Sequence, residues 1–193
     1  MTPILGQTWL TSRGLTGGLL LAGTALVFVG ILQYTARVFM RAPFATQPAY
    51  YQWERGFIIS GFITLALGLA ALSALLRQAG DPLLSEVGLT AAVIGTVLLV
   101  GVEVAWLTKA GLPDGLTSGL MRLAVVLAFL AQAAFGAALL HTGLLPGWLG
   151  WFAVVWNLGW LVVLGRANDP YYPVLQIMLP LLAGIWLLVR QGA

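Results

Sequence analysis

The sequence predicts an all-α protein, a bundle of about six helices crossing a membrane, and three observations carry that expectation. Of its 193 residues, 60% are hydrophobic and only 8% are charged, whereas soluble domains carry about 25% charged residues. So little charge cannot solvate a water-facing surface of this size, and the natural solvent is lipid or the inside of a larger membrane assembly. The apolar residues also come in long uncharged runs, and a spanning helix needs roughly 20 of them. Finally, clusters of Gly, Pro, Asn and Asp separate several of the runs, as helix ends require.

Gly14–Ala36 is the first uncharged run, Gly56–Leu76 the second, and Val87–Thr108 the third, broken by Glu103. Leu123–Gly165 runs for 43 residues with His141 as its one basic side chain. That is too long for one span and right for two. Pro170–Val189 is the last run. Gly80-Asp81-Pro82 stops one helix and starts the next, with Asp81 as N-cap and Pro82 at the first helical position. Thr117 or Ser118 can cap the fourth helix. His141-Thr-Gly-Leu-Leu-Pro146 reads as a tight hairpin, with Gly143 as stop and Pro146 as start. Asn168-Asp169-Pro170 repeats the Asp-Pro device before the sixth helix. The expected helices lie near 14–36, 57–77, 82–108, 119–141, 146–165 and 170–190, in one transmembrane domain covering 1–193.

Short connections make consecutive helices antiparallel neighbours. The exception is Arg37–Gly56, a longer loop holding five aromatics, two prolines and four charges. It suits a segment lying along the headgroups, and a substrate-facing lid is the sharper alternative. Alternating directions put Arg13, Arg77 and Arg190 on one side and Arg37, Arg41, Arg55, Lys109 and Arg166 on the other. The positive-inside rule then places the second side in the cytoplasm, with both termini outside. Small residues recur, as in Gly14-x-x-x-Gly18 and Ala131–Ala138, and permit close helix approach.

The composition closes several routes. There are no cysteines, which excludes disulfides, thiolate metal sites and a cysteine nucleophile. A single histidine excludes bis-His haem and His-rich zinc sites within this chain. The formal charge of +3 is scattered, with no basic run that would suggest a nucleic-acid partner. The N-terminus lacks a basic n-region and a small-residue cleavage site, so no removable signal peptide is expected. No G-x-S-x-G, Walker loop or H-E-x-x-H occurs, and no lysine sits at mid-membrane to form a Schiff base. No cofactor is indicated.

An ionisable group inside a span is costly, and is a functional hypothesis by default. Glu103 and Arg122 are the acidic and the basic residue that lie inside apolar spans. Both sit about 5–6 Å from the same end of their helices, so the sequence predicts that they pair. The pair can staple a hairpin, or couple to a proton or an anion. Asn157 and Gln176, about 11 and 9 Å deep, share this level and complete a candidate polar layer. Pro180 should kink the sixth helix and free the carbonyl of Gln176, which needs a partner at membrane depth; Asn157 is the expected one. Trp156 and Trp160, four apart on one helix face, could line an apolar ligand pocket with Trp186, or simply pack. His141 could hold a metal or a pigment, or rest at a helix C-terminus where the dipole favours it.

His141–Leu164, HTGLLPGWLGWFAVVWNLGWLVVL, resembles uncharacterised multi-spanning bacterial membrane proteins in which one helix ends at a "TGLLPxWLGW" turn and the next begins at once. The resemblance covers one hairpin closely and the six-helix layout loosely. It implies a bacterial origin and the hairpin between the fourth and fifth helices, and carries no catalytic residue; the expected location is the inner membrane. The leading expectation is a non-catalytic accessory or structural subunit of a larger membrane complex, contacting the lipid bilayer and other membrane subunits. The alternatives are a small-molecule or proton-coupled transporter using the Glu/Arg pair, and a membrane enzyme or binder for a lipid-like ligand.

Overall fold

The computed structural model describes residues 4–81, 83–166 and 176–189, with side chains from Ser12 onward. All regular structure among these residues is helical: α1 (Ile4–Val38), a short 3-10 turn at Pro43–Thr46, α2 (Pro48–Gln78), α3 (Leu84–Thr108), α4 (Asp114–Thr142), α5 (Gly147–Arg166) and α6 (Met178–Val189). The first five are long and apolar enough to cross a membrane, α1 from Ser12 onward. The chain is therefore an integral membrane protein with an all-helical transmembrane bundle. Pro82 and the Asn168-Asp169-Pro170 device lie outside the described residues.

Helix starts differ most from expectation. α2 begins at Pro48, nine residues before the expected 57, so half of the Arg37–Gly56 loop is helix. Proline at the first turn costs no hydrogen bond and pre-sets φ. Glu54 and Arg55, which marked that stretch as a loop, are buried inside the bundle, at 0% and 5% exposure. α4 begins at Asp114, ahead of the expected 119, where a carboxylate in the first turn complements the dipole. Thr117 sits within that turn and donates its hydroxyl to the Pro113 carbonyl at 3.2 Å.

The two turns read from glycine hold. Gly143 ends α4 in the left-handed region at φ +62°, and α5 starts at Gly147. Gly80 turns the chain at φ +101°. Beyond it the Ser85 amide donates to Asp81 Oδ2 at 2.6 Å, a buried contact that holds the first turn of α3. Asp81→Ala should cost about 1 kcal/mol, read as a lowered midpoint in mixed-micelle SDS unfolding followed by far-UV circular dichroism. An unchanged midpoint would show that the contact contributes nothing.

α1 packs along α2, α2 on α3, α3 along α4, α4 along α5, and α6 on α1. Lipid supplies no hydrophobic drive between helices, so close backbone approach matters. A Cβ at Gly61 of α2 would stand 2.6 Å from the Val27 amide of α1, and one at Gly136 of α4 would stand 2.9 Å from the Gly150 carbonyl of α5. On α1 the contact to α6 is made by Gly17, next to Gly184, whereas Gly18 faces open space. Gly14-x-x-x-Gly18 is therefore not the packing motif; the stretch 131–138 is one, through Gly136.

The buried apolar residues form two clusters at two levels. One gathers Leu20, Leu72, Leu76, Phe135, Leu139 and Leu187. The other gathers Val27, Ile58, Phe62, Val102, Met121 and Phe129. The polar side chains of interest lie beyond the second cluster and between the two.

Candidate functional site

Beyond the second cluster, α1, α2 and α3 meet in a network of four charges. Arg37, next to last in α1, grips Glu54 of α2 with both prongs: Nε donates to Oε2 at 2.6 Å and Nη2 to Oε1 at 2.7 Å. This fork geometry is the strongest form of side-chain ion pair. Arg55 stands 3.5 Å from Glu54 Oε1 and donates Nη1 to Glu103 Oε2 of α3 at 2.5 Å. Glu54 is 0% and Glu103 1% exposed. These two cations and two anions sum formally to zero, and mutual pairing is what makes buried ionised groups tolerable.

Aromatic rings close the faces that the carboxylates leave. The Arg55 guanidinium carbon lies 5.0 Å from the Tyr51 ring centre and 4.8 Å from that of Trp106. That of Arg37 lies 5.0 Å from Tyr51 and 5.5 Å from Tyr34. Such cation–π contacts strengthen when desolvated. Tyr50 donates its hydroxyl to the Gln33 carbonyl at 3.1 Å, tying the start of α2 to the end of α1. Arg37 keeps a side-chain exposure of 26%, so the network has one partly open corner, on α1.

Glu103 is thus in a buried ion pair, with Arg55 as a bonded cation. Arg122 is exposed on α4. Pairing along the helix hairpin points to Arg122; α2, starting nine residues early, also carries Arg55 into the bundle beside α3. The signal that could have found it is Pro48-Ala-Tyr-Tyr-Gln-Trp-Glu-Arg55 itself, which reads as a helix start once Pro48 is taken as its first residue.

A second polar group lies between the two apolar clusters. Pro180 leaves the Gln176 carbonyl without its intrahelical donor, and Gln132 of α4 supplies one, Nε2 donating at 2.7 Å. Asn157, the expected donor, instead turns back on α5 and donates to the Ala153 carbonyl at 2.6 Å. Gln132 carried a signal: it and Asn157 are the two carboxamides in the 43-residue uncharged run. Asn157 and Gln176 are buried, at 0% and 3% exposure.

The tryptophans divide. Trp156 packs edge-on to Trp160, ring centres 5.9 Å apart, and stacks on Phe152 at 5.5 Å. Trp186 meets Trp148 edge-on at 6.4 Å. Trp156 and Trp160 line an open depression of about 380 Å³ with Phe152, Val155, Gly159 and Val163, all on α5; Trp186 is not in its wall. His141 is exposed in the last turn of α4. Among the described residues no three His, Cys, Asp or Glu side chains gather as a metal site.

The chain matches no protein-family model, no curated protein and no solved structure.

Proposed function

We propose that the protein is a non-catalytic membrane component that works by packing, as an accessory subunit of a larger membrane assembly. The outward face of α5 carries this reading. Only 22% of the apolar window of α5 is buried, against 56% for α4. Trp151, Val155 and Val162 stand more than 60% exposed on it, with Gly159 open in the depression between Trp156 and Trp160. Small residues on an open helix face let a neighbouring helix approach closely, and flanking aromatics supply contact area. The network of Arg37, Glu54, Arg55 and Glu103 acts in this reading as a staple across α1, α2 and α3, and the inner bacterial membrane is the proposed location.

Native mass spectrometry of the protein extracted from its own membrane in lipid nanodiscs tests the reading. The expected result is a complex with other membrane subunits that Gly159→Leu disrupts while the far-UV spectrum stays unchanged. A lone chain in those nanodiscs contradicts it.

A second reading, a proton-coupled transporter, is favoured by the buried Glu103–Arg55 pair. Protonating Glu103 would release Arg55, and an intramembrane carboxylate in such a pair is a common coupling device. Solute uptake by proteoliposomes under a proton gradient tests it: unchanged flux in Glu103→Gln removes Glu103 from any coupling role.

A further inference from the structure

At the end of the bundle that holds the four-charge network, two helices close in the left-handed region on a basic residue: α1 at Arg41 (φ +51°) and α3 at Lys109 (φ +53°). At the opposite end α2 and α4 close in the same region on Gly80 and Gly143. Glycine takes this conformation freely, whereas a Cβ crowds the following carbonyl. The helix dipole favours a cation at either end, so it does not account for a basic residue in place of glycine at one end alone. Toward the network end the described residues carry six basic against three acidic side chains, and toward the other end two against two.

Arg41 stands beside the open corner of the network. The Ala42 amide returns to the Ala36 carbonyl at 3.0 Å, which folds Arg41 back against the last turn of α1. In that turn Arg37 gives Nε and Nη2 to Glu54. Its Nη1 makes no hydrogen bond among the described residues and is not buried. On the same connection and the start of α2, Phe39, Met40, Phe44 and Trp53 are each more than half exposed. The segment is nonetheless packed, since Phe44 meets Tyr50 edge-on at 5.6 Å and Phe39 meets Tyr34 at 6.2 Å. Open cations beside open apolar and aromatic side chains match the boundary between headgroups and acyl chains.

We propose that the α1–α2 connection is a binding site for an anionic phospholipid. The phosphate lies between the Arg41 guanidinium and Arg37 Nη1, and Phe39, Met40, Phe44 and Trp53 sit against the tops of the acyl chains. Lys109, on the neighbouring connection, adds to the field that draws anionic headgroups to this face. A zwitterionic headgroup brings the same phosphate with a cation attached, which the local excess of positive charge disfavours. The site rests on the spanning bundle and not on the accessory-subunit reading.

Native mass spectrometry of the delipidated full chain, titrated with phosphatidylglycerol or phosphatidylcholine of the same acyl chains, tests the proposal. Phosphatidylglycerol should bind about tenfold more tightly. Arg41→Gly removes the cation and relieves the left-handed residue. It should therefore unfold in SDS no earlier than the parent, yet bind phosphatidylglycerol about fivefold more weakly. Arg41→Lys keeps the charge and should restore most of that affinity, which separates lost charge from an altered turn. Arg77→Gln, at the opposite end, should bind as the parent does. Equal affinity for the two lipids overturns the proposal. So does an Arg41→Gly that binds like the parent, an Arg41→Lys as weak as Arg41→Gly, or an equal loss in Arg77→Gln.

Discussion

Arg55→Met is expected to destabilise the bundle by about 3–5 kcal/mol, because it leaves the Glu103 carboxylate in a nearly dry site without the guanidinium that binds it. The loss should be larger than for Arg37→Met, since Arg37 is 26% exposed and water can reach Glu54 from its side. Arg55→Lys should not rescue. An ammonium cannot lie flat between Tyr51 and Trp106 or reproduce the planar fork. Replacing both partners, as Arg55→Met with Glu103→Leu, should recover most of the stability, because a well-packed apolar pair removes the desolvation penalty together with the bond. Unfolding in mixed SDS micelles gives all four values. A double variant no more stable than Arg55→Met would mean that the network is more than a staple, and would favour the transporter reading.

Gly61→Leu is expected to cost about 3 kcal/mol, at the upper end for overpacking. Even a Cβ at this position would stand 2.6 Å from both the Val27 amide nitrogen and its Cγ2, and 3.1 Å from the Gly23 carbonyl. Two of those three atoms are backbone, so α1 and α2 must separate to admit the side chain. Such a separation would also pull Arg37 from Glu54, and the two losses would couple. Gly56→Leu, on the same helix but with open space at its Cβ, is the control and should lie within about 0.5 kcal/mol of the parent. Equal effects at Gly56 and Gly61 would mean that helix propensity, not close approach, sets the cost.

The helical class and the first five spans were legible because charge is so scarce that each apolar run stands out against its ends; of the sixth expected span, 170–190, the described residues show a helix only over Met178–Val189. The hairpin at Gly143 was legible for a local reason: a glycine stop and a proline start sit three residues apart. What misled was treating charge as a marker of water. Glu54 and Arg55 read as loop residues, yet in the fold each is neutralised by a partner distant in sequence, Arg37 and Glu103. Depth along a hairpin could place Glu103 near Arg122, but it could not show that α2 runs through the expected loop and brings Arg55 to Glu103 as well. The same holds for Gln176. Pro180 predicted a freed carbonyl, and the donor came from Gln132, because α4 and α6 both line one cavity while Asn157 is turned toward its own helix. Intervals along a helix are visible in sequence; which helices face one another is not.

The absence of cysteine makes the membrane topology open to direct measurement. Single cysteines at Met40 and Gly111 report the α1–α2 and α3–α4 connections, and single cysteines at Gln78 and His141 report the ends of α2 and α4. All four positions are exposed. With a membrane-impermeant maleimide on sealed native membranes, Met40→Cys and Gly111→Cys should label from one face, and Gln78→Cys and His141→Cys from the other. The proposed orientation assigns the first pair to the cytoplasm, the side of Arg37, Arg41 and Lys109. Labelling of Met40→Cys and Gln78→Cys from the same face would contradict a spanning α2, and with it the placement of the Glu54–Arg55–Glu103 network inside the membrane.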